Sequence, residues 1–179
     1  MMTAIQMSAP SAPLPPATPL LDLPLPDLAA TEALGRALAR LLRPGDVVAL
    51  YGDLGAGKTA LARALIRALP GLPGAPGDAA EEEVPSPTFT LVQTYERDPA
   101  PVWHFDLYRI EDSSEVEELG LSEALAGDIS LIEWPERLGA GLPAAALRIC
   151  LDFCEDGQGR RARLSGGGNW ALRLAELQS

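Results

Sequence analysis

The chain has 179 residues, with 25 acidic side chains against 14 basic ones and a formal net charge of −11. That length supports one core of useful size and leaves little for a second, and the apolar share of 47% is that of a globular protein. A surface of this sign repels polyanions, which argues against tight binding of bare nucleic acid by this chain alone.

The cysteines, Cys150 and Cys154, are spaced for neither a zinc knuckle nor a redox pair and read as free thiols of a reducing compartment. No apolar run reaches the roughly 18 residues of a membrane span. The N-terminus has neither the basic nor the apolar region of a secretory signal. The expected location is therefore cytoplasmic.

In chain order, Met1 to Pro19 is rich in Pro, Ala and Ser without charge or period, and reads as a disordered tail. The expected organisation is a tail over 1–20 and one domain over 21–179. Thr31 is placed to cap a helix whose apolar positions Ala33, Leu34, Ala37, Leu38, Leu41 and Leu42 keep helical spacing, with Pro44-Gly45-Asp46 as its stop. Val47 to Tyr51 is a short apolar run, as a buried central strand requires. After a Gly-rich turn, Thr59 to Leu69 reads as a second helix. Pro70 to Pro85 follows, full of breakers and carrying Glu81-Glu82-Glu83, too long for a tight connection. Strands are expected at Thr90–Tyr95, Val102–Phe105, Ile129–Ile132, Ala146–Phe153 and Arg160–Leu164. Helical segments fit Ser114–Leu119, Ser122–Ala126 and Trp170–Leu177. The alternation implies an α/β domain with a mainly parallel central sheet. Tight connections between the later strands leave room for antiparallel pairing, which would make the sheet mixed.

Gly52-Asp53-Leu54-Gly55-Ala56-Gly57-Lys58-Thr59 matches the phosphate-binding pattern G-x-x-x-x-G-K-[ST] in full, between an expected strand and an expected helix. Glycines let the backbone curl so that successive N–H groups point at phosphate oxygens. The helix that follows turns its positive end toward the same anion. Lys58 adds a charge for the β- and γ-phosphates, and the Thr59 hydroxyl can ligate Mg²⁺. Such a loop needs an acid from a neighbouring strand. Asp106, after Val102 to Phe105, and Glu133, after Ile129 to Ile132, both qualify, and the sequence does not choose between them as metal ligand.

Ser86-Pro87-Thr88-Phe89-Thr90 precedes a strand and follows the breaker-rich insert; it reads either as an ordinary Pro-containing turn or as a switch that senses the γ-phosphate. His104, the single histidine, reads as a packed or hydrogen-bonded core residue, and Trp103 and Tyr108 as core or pocket wall. Leu164-Ser165-Gly166-Gly167-Gly168 is like the ABC ATPase signature but lies after every strand that could carry the acid. No Asn-Lys-x-Asp stretch occurs to read guanine. ATP is the nucleotide expected.

Taken in series, GDLGAGKT, SPTFTLVQTY, HFDLYRI, ELGLSEAL and LIEWPERLG resemble the TsaE (YjeE) family, over about Leu28 to Leu164. The resemblance implies a P-loop α/β domain and a small ATPase of tRNA threonylcarbamoyladenosine formation. It implies Thr59 and Glu133 as magnesium ligands and Asp106 near the γ-phosphate. Ser86 to Thr90 would be the switch, Thr31 and Thr88 would contact the nucleotide and Trp134 would flank it. It also implies TsaD and TsaB as partners, whose heterodimer carries out the modification while ATP hydrolysis resets it, with tRNA met only through that complex. The Pro-rich tail and the long insert over 71–83 depart from the family pattern. Two other readings fit a P-loop domain of this size. One is a small-molecule kinase, against which stand the isolated Arg109 and Arg137 and the acidic loop. The other is a binding module in which ATP only sets conformation.

Overall fold

The computed structural model describes residues 18–72, 82–112, 114–154 and 157–178. The expected tail as far as residue 17 and the middle of the insert, 73–81, lie outside the described residues. The elements are β1 (Leu21–Leu25), α1 (Leu28–Ala39), β2 (Val47–Tyr51), α2 (Lys58–Ala68), β3 (Val92–Tyr95) and β4 (Val102–Asp106). They continue with α3 (Ser114–Glu118), α4 (Leu121–Leu125), β5 (Ile129–Glu133), a 3₁₀ stretch over Pro135–Gly141, β6 (Leu147–Phe153), β7 (Arg160–Gly166) and α5 (Trp170–Ala175).

All seven strands join one mixed sheet in the order β1-β7-β6-β2-β5-β4-β3. The four central strands, β6-β2-β5-β4, run parallel. The outer pairings, β1 with β7, β7 with β6, and β3 with β4, are antiparallel. The centre follows from composition: β2 and β5 are five-residue strands buried at every position, as a parallel strand covered on both faces must be.

Side chains alternate between the faces. Val48, Leu50, Leu131 and Ile149 meet Leu34, Leu38, Leu61 and Leu65 of α1 and α2. Val47, Phe105 and Ile132 face the other way, onto Val116, Leu121 and Ala124 of α3 and α4. Each fully buried leucine in these layers contributes roughly 1.5–3 kcal/mol through burial. Helices α1 and α2 pack very closely at Gly35, where an added Cβ would stand 2.7 Å from the Cβ of Ala64. Any larger residue there would force the helices apart.

Two expectations are corrected. Thr31 does not cap α1: the helix begins a turn earlier, and Asp27, with extended backbone, caps it by accepting from the Ala30 N–H at 2.8 Å. Thr31 is instead buried within the helix, and the helix stops at Ala39, ahead of Leu41 and Leu42. Strand β1 was not anticipated: Leu21 to Leu25 lies inside the expected domain, but Pro24 interrupts the run and the sequence alone marks no element there. As an edge strand it tolerates that proline, and it pairs along its whole length with β7.

Candidate nucleotide site

The carboxyl ends of the parallel strands deliver the candidate groups to one place. β2 ends at Tyr51 and the chain turns at Gly52, which has φ 139°. A Cβ at Gly52 would stand 2.5 Å from the Leu151 carbonyl of β6, so conformation and space both demand glycine. The loop continues to Gly57, and α2 starts at Lys58. On β4 and β5, Asp106 and Glu133 are register partners, side by side across the parallel ladder.

Around this point lies a pocket of about 250 Å³. Leu54, Gly55, Gly57, Lys58 and Thr59 line it from the loop, Asp106 and Glu133 from the strand ends, and Thr88, Tyr108 and Trp134 from the segments beyond. Ala56 is buried beneath the loop. Gly52 and Asp53 act on the site through their carbonyls, which accept from the Lys58 ammonium at 2.5 and 2.9 Å. Thr31 is not part of the pocket lining; its hydroxyl lies 3.4 Å from the Asp27 carbonyl.

Charge in the site is arranged in pairs. Lys58 is only 4% exposed, and burial lowers its ammonium below the usual lysine range, while Glu133, Glu136, Asp106 and Asp53 oppose that shift. Its Nζ also lies 3.8 Å from the centre of the Trp134 ring, a cation–π contact. Asp106 and Glu133 are both nearly buried. Each accepts from a threonine: Thr88 Oγ1 donates to Asp106 Oδ2 at 2.7 Å, and Thr59 Oγ1 donates to Glu133 Oε2 at 2.9 Å. Asp106 also accepts from the Tyr108 N–H at 3.1 Å. Two adjacent carboxylates in a low dielectric repel one another, and a divalent cation with hard-oxygen preference would relieve that repulsion. With the Thr59 hydroxyl they form an oxygen donor set that suits Mg²⁺ bound mainly through phosphates and water.

The switch candidate is tied to the same acids. Ser86 Oγ and Thr88 Oγ1 are 2.7 Å apart, so a hydroxyl chain leads from the segment to Asp106. Leu91, at the segment's end, has φ 66°, a conformation rare for a branched side chain. Phe89 is 82% exposed, with the Arg109 guanidinium over its ring.

Several contacts had no sequence signal. Trp134 adopts φ 59° directly after Glu133, and Tyr108 packs on its ring with centroids 5.0 Å apart. His104 is buried and bonds to Glu133 at 2.9 Å, in accord with its reading as a hydrogen-bonded core residue. From β7, Arg160 reaches the Gly55 carbonyl at 3.2 Å.

Residues 25–162 match the family model described as threonylcarbamoyl adenosine biosynthesis protein TsaE. The chain belongs to the TsaE family. Among curated relatives, the tRNA threonylcarbamoyladenosine biosynthesis protein TsaE of Bacillus subtilis is 34% identical over 148 residues, covering 82% of this chain and 87% of that protein. The TsaE of Rickettsia bellii is 38% identical over 126 residues, covering 70% of this chain and 82% of that protein. The crystal structure of Bacillus subtilis YdiB superposes with a TM-score of 0.70 at 26% identity, covering 88% of this chain and 93% of that one. The matched TsaE region holds the whole Gly-rich loop, both acids and the Ser86 to Thr90 segment. Among the described residues, no helix is long and apolar enough to cross a membrane.

Proposed function

We propose that this TsaE-family chain is a cytoplasmic, Mg²⁺-dependent ATPase of tRNA threonylcarbamoyladenosine formation that acts on a TsaD–TsaB partner complex. The observation that carries the reading is the convergence of Lys58, Thr59, Asp106 and Glu133 in one pocket at the carboxyl ends of parallel strands. A helix N-terminus and curled glycine backbone are suited to a phosphate chain. In this reading Lys58 leaves its loop carbonyls to neutralise the β- and γ-phosphates. Thr59 and Glu133 hold the Mg²⁺ ion, which when bound supplies charge neutralisation on the phosphate oxygens. Asp106 orients water near the γ-phosphate. Thr88, bonded to Asp106, makes Ser86 to Thr90 responsive to what occupies the site. Trp134 walls the pocket beside Lys58.

Partner dependence fits the chemistry of the chain. A net charge of −11 suits docking on a protein better than on tRNA directly. The test is ATP turnover alone and with TsaD and TsaB homologues. Slow hydrolysis alone, raised by the heterodimer, is expected. A rate indifferent to the heterodimer would overturn the partner reading, and efficient phosphoryl transfer to a metabolite would replace it with the kinase reading.

A further inference from the structure

His104 is the middle residue of β4, two residues before Asp106, and is fully buried. Its position on β4 places it on the same face as Asp106, the face that α2 covers. Its Nε2 is 2.9 Å from Glu133 Oε1, while the other carboxylate oxygen, Oε2, accepts from Thr59 at 2.9 Å. A carboxylate has no proton to give, so Nε2 is the donor in this pair. The second ring nitrogen, Nδ1, has no hydrogen-bond partner among the described residues. An imidazole buried in this way, with one nitrogen unpartnered, is poorer filling than an apolar side chain of the same size. Packing therefore gives no reason for a histidine here, and the bond to Glu133 does.

We infer that His104 is a positioning residue for Mg²⁺ ligation: its Nε2–H pins one oxygen of Glu133 so that the other stays aimed at Thr59 and the phosphate loop. Glu133 ends its strand on a side chain with three rotatable bonds, and its two oxygens have different holders. Thr59 is a mobile holder, because its hydroxyl can turn from the carboxylate to a cation. His104 is a fixed one, locked in the strand beneath the site. When Thr59 releases Oε2, the carboxylate keeps its plane because Oε1 remains bonded. Partners of this kind orient the ligand without touching the metal. This inference rests on the proposed Mg²⁺·ATP site.

The experiment is titration of the full chain with a fluorescent ATP analogue, first in EDTA and then at stepped MgCl₂. In the unaltered chain Mg²⁺ is expected to tighten binding. In His104→Leu, which removes the donor, the Mg²⁺ concentration for half of that tightening should rise about 10–100-fold, with affinity in EDTA unchanged. His104→Gln, whose amide can donate from near the Nε2 position, should recover most of the loss. If His104→Leu does not fold, as judged by circular dichroism, His104→Asn replaces it, since its shorter amide does not reach Glu133. An unchanged Mg²⁺ midpoint in the donor-less variant would overturn the inference. So would an equal loss with and without Mg²⁺, a glutamine variant no better than leucine, or failure of both donor-less variants to fold while the glutamine variant folds, because each assigns His104 a merely structural part. Absence of nucleotide binding in the unaltered chain would instead overturn the proposed function. Mg²⁺-linked binding that His104 variants leave untouched would overturn only this inference.

Discussion

Along β2 and β5 every residue is buried, whereas β1 and β7 alternate buried positions with half-buried and exposed ones. The parallel centre meets helices on both faces, so charged groups are costly within it, and its two buried acids, Asp106 and Glu133, stand at carboxyl ends of strands. On the antiparallel flank, polar residues pair in solvent instead: Arg161 with Asp22, and Arg163 with Asp152. The same sheet thus holds charges of two kinds. Those on β4 and β5 are few, buried and converge on one pocket, while those on β6, β7 and β1 are partly exposed and screened.

The sharpest way to break this contrast is chemical. Glu133→Gln keeps the shape of the side chain and removes one buried charge, and it should lower ATP turnover by about 10²–10³-fold. Arg161→Ala should leave turnover as it was, and steady-state phosphate release checks both. A second test weighs packing. Leu131, fully buried between the parallel strands, should cost about 2–5 kcal/mol as Leu131→Ala, read from urea unfolding.

A smaller effect concerns pH. Burial pushes the Cys150 thiol up from 9.0 to about 11. Above pH 9 the unfolded thiol ionises while the folded one does not, so the unfolded state binds fewer protons and stability falls as pH rises. The contribution is intact below pH 9 and lost progressively toward pH 11, by up to about 2 kcal/mol. Tyr51 and Tyr95, also raised by burial, add a decline of the same sign at higher pH. Cys150→Ala should therefore flatten the early part of the slope when urea midpoints at pH 8 and pH 10 are compared. The smallest effect belongs to the flank: Arg161→Ala should leave the urea midpoint unchanged within error, because its bond to Asp22 is exposed and screened.

What could be read from the sequence follows the range of the interactions involved. The loop from Gly52 to Thr59 was legible because strand, turn and helix are contiguous, and each residue type is dictated locally. The order of strands and helices was legible for the same reason, through apolar runs and breakers. The partners were not. Leu21 to Leu25 becomes a strand only because β7 lies beside it, and the Asp22 to Arg161 pair spans 139 positions. Thr31 and Asp27 are both able to cap a helix, and burial of Thr31 decided between them. Asp106 and Glu133 were each visible as strand-end acids, but their adjacency is a property of the β4–β5 register. The bond of His104 to Glu133 depends on that register too, and that of Thr88 to Asp106 on the antiparallel pairing of β3 with β4; no local pattern announces either.

The central claim, that the Gly-rich loop and its two acids form a Mg²⁺·nucleotide site, is tested most directly by calorimetric titration of the full chain with a non-hydrolysable ATP analogue and MgCl₂. Saturable binding that tightens with Mg²⁺ in the unaltered chain, and is lost in Lys58→Ala with its fold intact, is the predicted result. Absence of binding in the unaltered chain, or equal binding in Lys58→Ala, would contradict it.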